Sequence, residues 1–273
     1  MLIQRVVTAL VLLPLLLGLV WYAPTAAVYG AFAAAGALIA WEWSGLMQGV
    51  ARGGRIAYAA GVLAVLVAAW WTPLRGPWLP WLLGLACLWW LGAPLLFRGF
   101  PDKLKQRPLG TPVMGALGLL LIASTILALA HLHAQAGGPL KLLFLLFLVF
   151  AADTGAFLAG RNFGRHKLAP AISPGKTVEG AIGGLLLCAA WALTAGTYVF
   201  AVDGGQLPWL LALSLLTAVA SIVGDLVESM FKRISGIKDS GHILPGHGGV
   251  LDRVDSILAA APVMVLGLTL LGL

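Results

Sequence analysis

The stretch Leu140–Gly160 reads LKLLFLLFLVFAADTGAFLAG, and only Lys141 and Asp153 in it are charged. A helix needs about 20 mostly apolar residues to cross the hydrocarbon core of a bilayer. A carboxyl group at membrane depth is costly, at about 3 kcal/mol on insertion scales, so it is rarely tolerated without a functional reason. The stretch therefore predicts a transmembrane helix in which Asp153 is a candidate for function.

Similar apolar stretches recur along the whole chain, separated by short turns that are rich in glycine and proline. Of the 273 residues 60% are hydrophobic and 10% are charged, and the mean hydropathy is +0.98. Such a composition does not cover the surface of a soluble domain. We predict an all-α polytopic integral membrane protein with about nine transmembrane helices. The predicted segments lie near 4–23, 26–47, 56–72, 78–97, 112–133, 140–160, 177–201, 208–232 and 250–271.

The distribution of basic residues predicts the orientation. With the N-terminus in the cytoplasm, all but two of the 17 lysines and arginines fall on the cytoplasmic side, the exceptions being Arg75 and Lys141. This asymmetry follows the positive-inside rule and places the C-terminus outside. We expect a multi-pass protein of the cell inner membrane. The net charge of +7 then faces lipid headgroups and cytosolic anions, and we predict no binding to nucleic acid.

Acidic residues are concentrated on or beside three cytoplasmic helix ends. The residues concerned are Asp153, Glu179, Asp225, Glu228, Asp239, Asp252 and Asp255. Asp225 and Glu228 are three positions apart, and so are Asp252 and Asp255, so each pair shares one helix face. Carboxylates without nearby cysteines suit Mg²⁺. Structural alternatives remain open, because the dipole at a helix N-terminus favours Asp252 and Asp255, and Glu228 could pair with Lys232.

Two cytoplasmic loops supply basic residues beside these acids. They contribute Arg161, Arg165, His166, Lys167, Lys176, Lys232, Arg233, Lys238, His247 and Arg253, with glycines at 246, 248 and 249. Fixed cations neutralise a transferring phosphoryl group, so the combination indicates metal-assisted phosphoryl or nucleotidyl transfer. The segment SPGKT at 173–177 lacks the first glycine of a P-loop, and we reject that reading. Lys176 and Thr177 nevertheless open a helix that favours an anion, and Glu179 could simply complement its dipole.

The stretch Ser229–Asp255 reads SMFKRISGIKDSGHILPGHGGVLDRVD and resembles the signature of the phosphatidate cytidylyltransferase (CDP-diacylglycerol synthase) family. Residues 153–161, 166–168 and 173–180 are also similar to that family. The resemblance implies that CTP and phosphatidic acid react to CDP-diacylglycerol and pyrophosphate with Mg²⁺, a second cation being left open. It further implies that Asp225 and Asp252 are the central metal-coordinating carboxylates.

We accordingly assign three sets of site residues. The catalytic set is Asp225, Asp252, Lys232, Arg233 and Arg253. The substrate-binding set is Asp153, Lys167, Ser173, Lys176, Thr177, Glu179, Lys238, Asp239, His247, Gly248 and Gly249. The metal set is Asp225, Asp252, Glu228 and Asp255. Residues 141–273 would form the catalytic region, and residues 1–140 would be structural, line a lipid cavity or form oligomers, with a homodimer left open.

Three other functions agree less well with the sequence. A transporter would carry polar groups near mid-membrane on several helices, whereas the N-terminal half has only Glu42 and Asp102 as acids. A polyprenol kinase would share the nucleotide and the metal, but the HGG and DRxD elements argue against it. A non-catalytic lipid-binding scaffold would not need four carboxylates facing a basic loop. His131 and His133 are predicted to lie at the membrane interface without a catalytic role.

Overall fold

The structure is a computed structural model that describes residues 2–72, 76–243, 246 and 248–273, without the side chains of residues 2–9 and 103. It is helical almost throughout. The helices are α1 (Leu2–Tyr22), α2 (Thr25–Gly45), α3 (Arg52–Ala69), α4 (Leu79–Gly92), α5 (Pro94–Phe97), α6 (Asp102–Gln106), α7 (Thr111–Ala134), α8 (Gly138–Phe163), α9 (Val178–Trp191), α10 (Thr197–Phe200), α11 (Leu207–Ile234) and α12 (Leu251–Leu271). A π-helical turn, Ala192–Gly196, joins α9 to α10.

The predicted architecture is confirmed. Within the described residues, eight helical segments are long and apolar enough to cross a membrane, and the shorter apolar stretch Leu10–Tyr22 lies in α1. Each of the nine predicted segments coincides with one of them. The fourth is broken at Pro94, which has no N–H for the helical hydrogen bond, and continues as α5. The chain is therefore a multi-pass, all-α membrane protein.

Two elements in the loops were not predicted. A short helix, α6, follows α5, and the loop after α8 forms an antiparallel hairpin of β1 (Lys167–Ala169) and β2 (Ser173–Thr177). The hairpin sequence KLAPAISPGKT has no alternation of apolar and polar residues, which is the usual local signal for strands. Its strands are too short to be recognised without their tertiary contacts.

Helices α8 and α9 pack with their backbones in contact. A Cβ atom added to Gly155 would lie 2.6 Å from the carbonyl oxygen of Gly183, and one added to Gly184 would lie 2.6 Å from that of Ala152. Small residues allow this approach, which is a common way for membrane helices to associate. Asp153, on α8, lies between the two contact positions Ala152 and Gly155, and Gly160 of the same helix meets Thr177 and Gly180 at the start of α9.

The two halves of the chain are joined at α12. Pro262 has no N–H group, so the carbonyl oxygen of Leu258, four residues earlier, lacks its helical partner. Trp90 of α4 donates from Nε1 to this oxygen at 3.2 Å, and Thr125 of α7 donates from Oγ1 at 3.2 Å. A backbone oxygen inside a membrane needs such partners. The proline in α12 is thus matched by two donors from residues 1–140.

His133, which was predicted to lie at the membrane interface, belongs to the last turn of α7 and is only 6% exposed. Its Nε2 donates to the carbonyl oxygen of Val20 at 2.9 Å, and its Nδ1 accepts from the hydroxyl of Thr25 at 3.0 Å. The imidazole therefore fastens α7 to the turn between α1 and α2. This role depends on a contact over more than 100 positions, which no local pattern predicts.

Candidate functional site

Asp252 fixes the loop between α11 and α12. Its Oδ2 accepts from the backbone N–H of Ser240 at 3.0 Å and of Gly249 at 2.9 Å. Both ends of the segment 240–249 are therefore held by one carboxylate in the first turn of α12. A carboxylate is also favoured there by the helix dipole. Asp252 thus has the structural role that its position in the first turn of α12 suggested, and its side chain also closes the loop.

Lys232 joins two of the predicted metal carboxylates. Its Nζ lies 2.6 Å from Glu228 Oε2 and 2.7 Å from Asp252 Oδ1. All three side chains are largely buried, with 12%, 3% and 4% of the lysine, glutamate and aspartate exposed. Buried charges of this kind persist only when they are paired. The pair of Glu228 and Lys232, which the sequence left as an alternative, is present, and Lys232 pairs with Asp252 as well.

Lys176 and Asp225 form a second ion pair. Lys176 Nζ lies 2.5 Å from Asp225 Oδ2, and Ser229 donates from Oγ to Asp225 Oδ1 at 3.2 Å. Each of the two charged side chains is 27% exposed. The hairpin thereby places a cation against α11, at a carboxylate that has no basic residue three or four positions away in its own helix. Asp225 keeps lone pairs that no hydrogen bond occupies.

Lys176 and Asp225 line a cavity of about 400 Å³ between α8, the hairpin, α9 and α11, whereas Lys232, Glu228 and Asp252 do not line it. Asp153 and Arg161 of α8 face it together with Lys176, Thr177 and Asp225. The cavity thus contains two carboxylates, which lie within α8 and α11, and two cations, which lie in the last turn of α8 and in β2. Such a mixture suits a ligand that carries several negative charges and a bound cation.

Helix α11 packs closely against α12 beside Asp225. A Cβ atom added to Gly224 would lie 2.6 Å from the backbone oxygen of Asp255. Because Gly224 precedes Asp225, the close approach holds the two acid-bearing helix faces side by side. Asp255 itself accepts from the backbone N–H of Ser256 at 2.6 Å through Oδ1.

Glu179 organises the loop that precedes the hairpin. Its Oε2 accepts from the backbone N–H groups of Arg165 at 3.0 Å and His166 at 3.1 Å, and its Oε1 lies 2.6 Å from His166 Nδ1. Thr177 caps α9, since its Oγ1 accepts from the N–H of Gly180 at 3.1 Å. Of these residues only Thr177 and Gly180 line the cavity, whereas Glu179 holds the loop beside it.

The remaining predicted residues that the structure describes do not line the cavity. Lys238, Asp239 and Arg253 are exposed, Arg233 is partly buried, and Gly248 and Gly249 pack against the loop interior. Lys167 and Ser173 belong to the hairpin and do not line the cavity. Gly248 has φ +83°, a conformation that favours glycine, and an added Cβ atom would lie 2.9 Å from Asp252 Oδ2. His247 lies outside the described residues.

Sequence reasoning missed Glu42, which is 1% exposed and belongs to α2. Its Oε1 accepts from Val250 N at 3.0 Å, and its Oε2 accepts from Leu251 N at 2.7 Å and Ser240 Oγ at 3.0 Å. A signal was available, because a single acid inside an apolar span needs a partner. Glu42 was instead counted only as one of two acids in the N-terminal half.

The carboxylates fit a hard cation by their chemistry. Among the described residues, no three Asp, Glu, His or Cys side chains are close enough together to share one ion. Glu228 Oε1 is nevertheless a buried oxygen with no hydrogen-bond partner in the described part of the chain. Carboxylate oxygens are the ligands that Mg²⁺ prefers. A bound cation would compete with Lys176 and Lys232 for these oxygens.

Comparison with known proteins identifies the family. Residues 3–271 match the model of the cytidylyltransferase family. A phosphatidate cytidylyltransferase of Pseudomonas aeruginosa is 44% identical over 272 residues, which cover 96% of this chain and 95% of the relative. Enzymes of the same name from Haemophilus influenzae and Staphylococcus aureus are 42% and 48% identical, over 65% and 45% of this chain and 64% and 46% of their own lengths. The chain therefore belongs to the cytidylyltransferase family.

Proposed function

We propose that this chain is a phosphatidate cytidylyltransferase, which makes CDP-diacylglycerol and pyrophosphate from CTP and phosphatidic acid. The names of the similar proteins support the substrates. The observation that carries the proposal is the ion pair of Lys176 and Asp225 in the wall of a charged cavity. The reaction needs a cavity that a nucleotide reaches from water and a lipid reaches from the bilayer.

The reaction is a single displacement at phosphorus. A phosphate oxygen of phosphatidic acid forms a bond to the α-phosphorus of CTP, and the bond from that phosphorus to the bridging oxygen of pyrophosphate breaks. The attacking group is already anionic at neutral pH, so no protein nucleophile is needed. Positioning and charge stabilisation then account for most of the rate.

The cations of the cavity bind the phosphates. Arg161 and Lys176 face the cavity and would contact phosphate oxygens, and Arg253, Arg233 and Lys238, which do not line it, would approach the phosphates from the loop between α11 and α12 and its flanking helix ends. Lys232 keeps Glu228 and Asp252 in place, so it acts on the geometry of the carboxylates. Thr177 and Gly180, at the start of α9, line the cavity beside these cations, and the Gly180 N–H is already bonded to Thr177 Oγ1.

Asp225 and Asp252 would hold Mg²⁺. Because no three acidic side chains of the described residues lie close enough to share one ion, Glu228 and Asp255 would become further ligands only through side-chain movement or at a second cation. When bound, the ion supplies positive charge that neutralises the phosphate oxygens. The unpartnered oxygen of Glu228 and the open lone pairs of Asp225 support this assignment. Chelation by EDTA should abolish activity, and added Mg²⁺ should restore it.

We further propose that the protein lies in the inner membrane and that the cavity faces the cytosolic side, as the basic loops predict. Residues 141–273 would carry the catalytic groups, while residues 1–140 support them and could form a homodimer. Labelling of single cysteines introduced at Arg161 and at the exposed Tyr198 would test the sidedness. Chemical cross-linking in membranes would test the dimer.

The proposed activity is tested by transfer of label from radioactive CTP into chloroform-soluble lipid. Purified protein is given phosphatidic acid and Mg²⁺, and Asp225→Asn and Asp252→Asn are compared with Asp102→Asn, an exposed acid outside the site. Labelled CDP-diacylglycerol from wild type and Asp102→Asn, with none from the two site variants, supports the proposal. Label in another lipid, or none in wild type, refutes it.

A further inference from the structure

An apolar groove of about 500 Å³ lies beside the charged cavity. Its walls are the hairpin, α9, α11 and two phenylalanines near α5, and every lining side chain is apolar. The phenylalanines are Phe97 and Phe100, and the tip of the hairpin contributes Pro170, Ala171 and Ile172. Among the described residues, the lining of the groove contains no charged group that could bind a nucleotide.

The groove and the cavity share a wall. Leu168, Ala181 and Ile222 line both, so the apolar groove begins where the charged cavity ends. On α11 the groove residues Val219, Ile222, Val223 and Leu226 have the spacing of one helix face. Asp225 lies within this same stretch, so the groove is at the depth of the ion pair that it forms with Lys176.

The groove is open on the side of α11 and is covered by the hairpin on another side. Val219 is 44% exposed, and Leu185 and Val223 are only partly buried. Ile172 of the hairpin is 3% exposed, although the neighbouring Pro170 and Ala171 are exposed. The hairpin therefore inserts the side chain of Ile172 and covers one side of the groove. Because the walls are apolar, contact with water is unfavourable there.

We propose that this groove binds an acyl chain of phosphatidic acid. The proposal rests on the function proposed above. The substrate has a phosphate next to its acyl chains. The structure likewise has cations in a cavity that adjoins an apolar groove, and the two share the lining residues Leu168, Ala181 and Ile222. Phosphate bound by Lys176 and Arg161 would direct the chain past Ile222, between α9, α11 and the hairpin. Burial of the chain would then fix the orientation of the attacking phosphate.

Two adjacent leucines of α9 provide a matched test. Leu185 lines the groove, whereas Leu186 is 66% exposed and does not line it. Leu185→Trp should raise the KM for dioleoyl phosphatidic acid about ten-fold, because small changes of fit in an apolar pocket have effects of this size. The KM for CTP and the rate with dihexanoyl phosphatidic acid, whose chains are too short to fill the groove, should stay unchanged. Leu186→Trp should behave as wild type.

Two further variants guard against a folding defect in Leu185→Trp. Val219→Trp and Ala171→Trp place the same bulk in the groove from exposed positions on α11 and the hairpin. They should show the same dependence on chain length. Phosphatidic acid with a photoreactive group on its acyl chain should also cross-link to Phe97, Phe100 or the hairpin in wild type.

Several results would overturn the proposal. An equal KM for dioleoyl phosphatidic acid in the groove variants and Leu186→Trp would mean that the groove holds only bulk lipid. Equal losses with both chain lengths and with CTP would mean that the tryptophan acts on the charged cavity. Cross-links confined to exposed faces of α1 or α3 would also exclude the groove. Failure of wild type to label any phosphatidic acid would instead refute the proposed function, and the groove proposal with it.

Discussion

The carboxylate of Glu42 accepts the backbone N–H of Leu251 at 2.7 Å, joining α2 to the first residue of α12. The first N–H groups of a helix have no partner within the helix. Val250, which precedes α12, has no side-chain cap, and Glu42 supplies the missing acceptors from the other half of the chain. Asp252 and Arg253 lie in the helical turn that is fixed in this way.

Replacement of Glu42 should therefore weaken both the fold and the reaction. Glu42→Ala leaves two buried N–H groups and a hydroxyl without acceptors, each at about 1–3 kcal/mol. Glu42→Gln keeps one oxygen and should lose less. We expect lower thermal stability in detergent, faster hydrogen exchange at residues 240–252, and lower kcat.

Asp102→Asn is the matched control, since Asp102 is the other acid of the N-terminal half and is exposed. It should change neither stability nor exchange. Wild-type stability in Glu42→Ala would show that water or other groups satisfy the loop, and would exclude Glu42 as its anchor.

A second prediction concerns Lys232. Lys232→Met removes the cation between Glu228 and Asp252, and breaking a buried ion pair costs about 3–5 kcal/mol because the remaining charge is unpaired. The double variant with Glu228→Gln should recover part of this loss. Unfolding of the purified variants, compared with Lys238→Met at an exposed lysine, measures the effect. A single variant as stable as Lys238→Met would contradict the pairing.

The sequence was sufficient to predict the membrane segments, because apolar length is a local property. It also predicted two acid pairs, Asp225 with Glu228 and Asp252 with Asp255, on two neighbouring helices, and the structure brings these helices together at Gly224. The partner of Glu42 was out of reach, since the two groups are 209 positions apart. Such a pairing depends on how α2, α7 and α12 pack, and this packing depends in part on Pro262.

The hairpin shows a similar limit. The basic residues of the loop were predicted, but not that β2 would carry Lys176 across to Asp225 on another helix. A positive-inside anchor and a substrate-binding lysine have the same sequence pattern. Only the position of Asp225 in the same cavity distinguishes them.

Lys176 gives a third prediction. Lys176→Met should reduce kcat/KM by about 10²–10³, the range for loss of one charge-stabilising group in an active site. Its ion pair with Asp225 is partly exposed, so stability should fall by less than about 1 kcal/mol. Lys176→Arg should retain part of the activity. Lys167→Met, at an exposed lysine of β1 outside the cavity, should have a smaller effect. Equal losses at the two lysines would mean that they act only through general surface charge.

The contact between α8 and α9 gives the last prediction. A Cβ atom on Gly184 would lie 2.6 Å from the carbonyl oxygen of Ala152, which is backbone and has little room to move. Gly184→Ala should separate the helices and shift Asp153, the neighbour of Ala152, relative to Lys176, so that both stability and activity fall. Gly61→Ala is the comparison, because Gly61 lies inside α3 with nothing within 4 Å of the added atom. That change should be neutral or stabilise the helix by up to about 1 kcal/mol. If both variants melt and react like wild type, the close approach of α8 and α9 does not position the site.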